Sequence, residues 1–408
     1  MRILWVKVGG LWPLNTGGRL RSFHILSELS RRHRITLLTT HFPEEDLHAL
    51  RELLPRCERI ESFPYVPAKW RSARFPAVLL RSWFSPLPVD LWKYRVAALR
   101  QEVARLLAAQ AVDLCVADFI FAVPNVPFGG QVPVVFFAHN VEHMILKRLS
   151  RNAGRAWQQA LLELEWRKMR RCEAEACRRA RLTIAVSPLD RDVLAAMAPG
   201  ANVCAVPTGV DVSYFTPHEG PETPDRLVYV GSMDWHPNED AILYFMDVIL
   251  PLIRHERPTA TLTVVGRNPS RRLRNAAAEA GVQLTGTVVD IRPFVAEAAV
   301  VVVPLRVGGG TRIKIFEALA MGKAVVSTTI GAEGLPLTDG AHFVQADEPA
   351  AFASAVAALL RDPARRRVLG AAGRRLVEER YSWAQVAVDF EAKCNDTLGS
   401  NGTQLCLA

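Results

Sequence analysis

Cysteine is scarce and scattered in this 408-residue chain. The seven, Cys57, Cys115, Cys172, Cys177, Cys204, Cys394 and Cys406, are odd in number and show no CxxC or His/Cys ligand spacing. Neither a disulfide framework nor a structural zinc is supported, and a reducing cytoplasm is the natural compartment. No uninterrupted apolar run is long enough to cross a bilayer. The opening MRILWVKVGG reads directly as a strand, without a signal-peptide pattern. Dense basic runs and nucleic-acid motifs are lacking, so nucleic acid is not an expected partner. Acidic residues are the minority sign: 41 Asp and Glu against 50 Lys and Arg, a net charge of +9. That balance favours an anionic partner such as a phosphorylated ligand or an acidic membrane surface.

What the chain does have is a repeated α/β pattern. Residues 2–8 read as a strand, followed by NTGG at 15–18, a helix over 19–32 and a strand at 35–40. A strand, a glycine loop, a helix and a strand form a βαβ opening, although a full GxGxxG is absent. Further strands are expected at 113–119, 132–138 and 182–187. The 132–138 strand runs into His139, which is well placed to touch a substrate or to serve as a structural cap. Residues 144–181 read as one long helical stretch. Its charges suit a solvated face with i,i+4 pairs or a peripheral contact with anionic lipid. The PTGVDVSYFTPHEGPETPD segment reads as an interdomain linker.

The second half restarts the pattern, with strands expected at 226–230, 261–266 and 282–290. The most informative stretch is GGGTRIKIFEALAMGKAVVST at 308–328. Gly308, Gly309 and Gly310 let backbone amides approach a ligand closely, and Thr311 can cap the helix that follows. A helix N-terminus with free amides is an anion site. Arg312 and Lys314 add positive charge there although the helix dipole does not favour it, which suggests an anionic partner. The preceding VVVVPL and following AVVST make the stretch a βαβ unit. Between residues 64 and 94, Trp70, Phe75, Trp83, Phe84 and Trp92 alternate with Lys69, Arg71, Arg74 and Arg81. Such a mixture suits a membrane interface, a lipid-bearing substrate or a helical insertion packed on the core.

Together these motifs resemble the retaining, nucleotide-sugar-dependent glycosyltransferases of family GT4. PLNTGGRLRS, AHN at 138–140, PTGVD at 207–211, VGSMDWHPN and RYSW fall in the family's order, and GTVVDIRPF followed by VVVPLRVGGGTRIKIFEALAMGKAVVST is the most specific block. The resemblance implies the GT-B fold: two Rossmann-like α/β domains facing across a cleft. It implies an acceptor-side domain over 1–212, a donor domain over 213–382, and a helix and tail over 383–408 packing back toward the first domain. It implies transfer of a sugar from a nucleoside diphosphate, UDP or GDP, to a glycan or glycolipid hydroxyl with retention. No metal or cofactor is expected besides the donor. The location implied is the cytoplasm, with the inner face of the membrane as an option.

Residue by residue, the resemblance places His139 near the reacting sugar and the leaving phosphate. Gly17 and Gly18 face the diphosphate and acceptor. Glu317, the second Glu of a Glu-x7-Glu motif, accepts the donor ribose hydroxyls. Gly231, Ser232, Arg267, Val288, Gly309, Gly310 and Thr311 lie on the donor side. Two departures stand out. Gly309 occupies the place of the first Glu, and Ser232 occupies the place of an Arg. Arg312 and Lys314, with Arg267 as a further candidate, are expected to supply the missing charge. Rival readings are a GT-B nucleotide-sugar epimerase and a non-catalytic nucleotide-sugar or polyanion binder.

Overall fold

The computed structural model describes residues 1–14, 16–42, 47–66, 68, 72, 75–151, 155–218, 220–307 and 313–399. The chain divides into two compact units. One comprises Met1–Pro207 and the chain from Val386 on; the other is Thr208–Gln385.

The first unit is built on a seven-stranded sheet. Its strands are β1 (Arg2–Lys7), β2 (Arg34–His41), β3 (Arg59–Pro64), β4 (Leu114–Asp118), β5 (Val134–Phe137), β6 (Leu182–Ala185) and β7 (Val203–Ala205). All pair in parallel, in the order β3-β2-β1-β4-β5-β6-β7. The second unit holds β8 (Arg226–Val230), β9 (Thr261–Val265), β10 (Gln283–Leu284), β11 (Val300–Val303), β12 (Ala324–Ser327) and β13 (Val344–Gln345). These are also parallel, in the order β10-β9-β8-β11-β12-β13. Helices cover both faces of a parallel sheet, so its central strands read as unbroken apolar runs. VVFF in β5 and VVVV in β11 are fully buried in this way. In each sheet the strand order reverses once, between β1 and β4 and between β8 and β11. Ligand crevices open beyond the strands' carboxyl ends at such switch points.

Four expectations need correction. The stretch expected as one helix over 144–181 is two, Glu142–Arg151 and Ala156–Arg179. Asn152 and Gly154 between them are poor helix formers. Its face is also less solvated than its charges imply: Glu165, Lys168 and Glu173 are buried. Lys168 Nζ donates to the Ser82 carbonyl at 2.8 Å, and Glu165 accepts from Val89 N at 2.6 Å. Next, the strand expected over 282–290 stops at Leu284, where Gly286 turns the chain at a φ of 70°. Finally, the segment read as a linker is pinned over its first half. Arg374 donates to the carbonyls of Val212 at 3.0 Å and Phe215 at 2.6 Å, and Arg292 stacks on Tyr214 at 3.8 Å.

The last helix, Trp383–Gly399, gives its residues from Val386 on to the first unit. Phe390 packs on Trp5 at 5.7 Å and on Phe137 at 5.1 Å. Glu391 pairs with Arg32 at 2.7 Å and with His33 at 2.9 Å.

Candidate active site

In the first unit, the switch point gathers opposite charges. β1 ends in Lys7, β4 ends in Asp118, and His139 follows β5. Asp118 is fully buried. It accepts from Trp5 Nε1 at 2.7 Å and from Lys7 Nζ at 3.2 Å. His139 Nε2 stands 2.7 Å from Asp118 Oδ1, within ion-pair range but off the line of a straight ring N–H bond. Burial alone would raise the Asp118 carboxyl, but Lys7, His139 and Ser22 outweigh it and hold it below the usual range. Burial pushes His139 down to about 4 against the pull of Asp118, so its imidazole is neutral at neutral pH. The carboxylate beside Nε2 assigns the ring proton to that nitrogen and leaves Nδ1 as an acceptor.

The helix Gly17–Leu29 closes over this hub. Thr16 caps it by accepting from Arg19 N. Gly17 and Gly18 form its first turn, and a Cβ on Gly18 would stand 3.3 Å from His139 Nδ1. Arg19 stitches down the preceding loop by donating to the carbonyls of Trp12 at 2.9 Å and Gly9 at 2.9 Å. Arg21 is buried, its Nη1 lies 3.5 Å from the His139 carbonyl, and burial lowers it to about 10. A helix N-terminus backed by Lys7 and Arg21 favours an anion. Next to it, burial pushes Glu142 up to about 7 despite a 3.0 Å hydrogen bond from Asn140.

In the second unit, the loop after β8 is the centre. Gly231 N donates to the Val265 carbonyl and Met233 N to the Arg267 carbonyl, both at 2.9 Å. Asn238 Nδ2 donates to the Ser232 carbonyl at 2.8 Å. Lys314, in the helix Ile313–Ala320, donates to Tyr229 Oη at 2.8 Å and Asn238 Oδ1 at 3.0 Å. Its ammonium lies 4.2 Å from the Tyr229 ring centroid and 2.8 Å from where a Gly231 Cβ would be. Glu317 follows one turn later on the same helix face. It is half-buried, and burial pushes it up to about 7 with Lys314 pulling the other way.

The structure thus brings Gly17, Gly18 and His139 together in one unit and Gly231, Ser232, Arg267 and Lys314 together in the other. Three expectations change in detail. His139 is 2% exposed and lies beneath the glycine turn rather than in the open. Arg267 is partnered, with Nε 2.7 Å from Ser232 Oγ and 3.5 Å from Asp234. Val288 leans on the apolar core of its unit. Gly308, Gly309, Gly310, Thr311 and Arg312 lie outside the described residues. A cavity of about 860 Å³ in this unit, lined by His236, Asp240, Tyr244, Arg272 and Arg306, includes neither Lys314 nor Glu317. Sequence reasoning missed Lys7, Asp118 and Arg21. A signal was present: one Lys and one Asp each interrupt an apolar strand at its carboxyl end. It also missed Gly266, whose Cβ would sit 1.7 Å from the Gly231 carbonyl oxygen.

Two doubly wound parallel units with these switch points define the GT-B class of α/β glycosyltransferase folds. Solved structures of that shape match nearly end to end. Sucrose-phosphate synthase from Thermosynechococcus elongatus aligns with a TM-score of 0.71 at 16% identity, over 98% of this chain and 99% of that one. The Anabaena protein HepE, solved with UDP, gives 0.67 at 14% identity, over 97% and 100%. Residues 17–214 match the family model described as Glycosyltransferase Family 4, and residues 224–362 match that of Glycosyl transferases group 1. The chain belongs to glycosyltransferase family GT4. Among curated proteins, phosphatidyl-myo-inositol mannosyltransferase of Mycobacterium tuberculosis is 30% identical over 229 residues. That match covers 52% of this chain and 58% of the relative's length.

Proposed function

We propose that this protein moves a sugar from a nucleoside-diphosphate donor to a hydroxyl of a lipid-bearing glycan, with retention of configuration. The observation that carries the reading is the pair Lys314 and Glu317. A cation and a carboxyl one turn apart stand on the helix that follows β11, at the second sheet's switch point. A carboxylate there can accept two ribose hydroxyls side by side. Glycine amides and the Lys314 ammonium can hold a departing diphosphate, the electrostatic task such a transfer sets.

His139 then acts as a neutral acceptor. Nδ1 takes a hydrogen bond from a sugar or acceptor hydroxyl, while Asp118 fixes the ring from behind. In the retaining scheme the leaving phosphate helps deprotonate the acceptor, so no carboxylate nucleophile is needed. The relative named for mannosyl transfer to phosphatidyl-inositol supports a lipid acceptor. The six cysteines among the described residues are free thiols, which supports a reducing, cytoplasmic location. Leu80, Trp83, Phe84 and Trp157 are exposed on the first unit and support contact with the inner membrane face. No helix among the described residues is long and apolar enough to cross a membrane.

A panel of UDP- and GDP-sugars screened by thermal shift tests the donor, because a matched ligand raises the melting temperature by mass action. Product analysis with and without acceptor then separates the alternatives. Acceptor-dependent release of nucleoside diphosphate is expected. A new nucleotide sugar formed without acceptor would mark an epimerase, and binding without turnover a silent binder.

A further inference from the structure

The first unit carries a concavity whose lining includes none of the hub residues Lys7, Arg21, Asp118 and His139. It is a groove of about 830 Å³ bordered by the Ala156–Arg179 helix, the Val89–Lys93 helix and the loop through Phe128. That volume lies in the range of about 300–1,000 Å³ that takes a small ligand. The floor is apolar: Leu87, Leu91, Pro124, Phe128 and Met197. The rim is cationic, with exposed Arg100, Arg170 and Arg171. None of these three guanidinium groups has a hydrogen-bond or ion-pair partner among the described residues. Arg178 and Arg179 also line it but are partnered by Glu175 at 3.4 and 4.0 Å. Glu175 is thus the lone carboxylate among the lining residues, and it is already engaged.

An apolar trough edged by unpaired guanidiniums fits a ligand with a hydrocarbon body and an anionic head. A free anion would leave the trough unfilled, and a neutral lipid would leave the arginines unanswered. The groove is also continuous in sequence with the exposed aromatics. Trp83 and Phe84, the latter 87% exposed, directly precede Ser85, Pro86 and Leu87 of its wall. Exposed aromatics beside a cationic rim suit the headgroup level of a bilayer.

We propose that this groove seats an acyl chain of an anionic membrane phospholipid, with the phosphate held by Arg100, Arg170 and Arg171. It rests on the membrane-facing part of the function proposed above. It adds a defined lipid seat, separate from the hub around His139.

The test uses the full chain in two assays: flotation with phosphatidylcholine vesicles with or without phosphatidylglycerol, and calorimetric titration of monomeric lysophosphatidic acid. Wild type should bind the phosphatidylglycerol vesicles and take up lysophosphatidic acid with one-to-one stoichiometry. The R170E/R171E chain should lose about tenfold or more in both assays. Leu87→Asp should lose lysophosphatidic acid binding to a similar extent. Thermal unfolding confirms that each variant is folded, and the doubly charge-reversed chain changes only exposed side chains. Equal binding to pure phosphatidylcholine, wild-type binding by R170E/R171E, or full competition by inorganic phosphate would each overturn the proposal. The nucleotide-sugar thermal shift is read on the same samples. Its absence alongside intact lipid binding would remove the transferase reading and leave the lipid seat standing.

Discussion

At the residue scale, Glu317 and Asp118 carry the sharpest consequences. The Glu317 carboxyl keeps its proton up to about 7 in the folded chain, against 4.5 for an ordinary glutamate. Between those values the folded state binds more protons than the unfolded state. Its stabilising contribution is therefore complete below the lower value and is lost as pH rises through the upper one. Gripping ribose hydroxyls requires the opposite, ionised form. Donor affinity is expected to rise as pH increases through about 7 and then to level off. A nucleotide sugar is the right probe, because its pyrophosphate has no proton to lose in that range. Glu317→Gln should bind about tenfold more weakly and show a flat profile. Calorimetry across the pH range decides, and a wild-type profile as flat as the variant's would exclude this role.

Asp118 makes a different prediction, because it touches no ligand. It compensates Lys7 and holds the His139 ring. Asp118→Asn leaves a buried ammonium without its counter-charge, at a cost of about 3–5 kcal/mol in denaturant unfolding. Transfer rate at saturating donor should fall about tenfold or more as the ring loses its orientation. Unfolding at the wild-type denaturant concentration would show that the hub is not the brace described. Lys7 and Asp118 were hard to find by pattern. His139 and Glu317 sit where motifs point, whereas Lys7 and Asp118 look like single interruptions of apolar strands. Only the three-dimensional switch point shows that the two interruptions cancel one another.

At the element scale, most strands were legible because a parallel sheet covered on both faces demands unbroken apolar runs. β3 was not, because RIESFP at the sheet edge is only half-buried and half polar. The break between the two long helices was hidden by continuous charge patterning on either side. The buried Glu165, Lys168 and Glu173 were hidden for the same reason, since a paired interior charge and a solvated one look alike in sequence. Glycine spacing shows the turns but not which of them interlock. Gly266 and Gly231 touch through their backbones, so Gly266→Ala would drive a methyl into a backbone carbonyl and force the loop to shift. A loss of about 2–3 kcal/mol in the second unit is expected. The nucleotide-sugar thermal shift should shrink too, because the displaced loop carries Ser232 and borders Lys314. A fully stable Gly266→Ala chain would contradict the interlock.

At the scale of the whole molecule, the order of parts along the chain matters as much as their shapes. The first unit is discontinuous: its final piece is the helix from Val386 on, whose Phe390 lies against Trp5 and Phe137. A fragment ending at residue 207 would expose the indole face and the phenylalanine edge that this helix covers. Such a fragment is expected to keep far-UV helical signal but to lack near-UV structure and a cooperative melt, the marks of lost packing. A synthetic peptide spanning 383–399, added in trans, should restore both. A cooperative melt of the fragment alone would refute this. During synthesis, the half that emerges from the ribosome first is therefore the half that finishes folding last. It waits, with an open seam, until the second half has been made and the final turns arrive to close it.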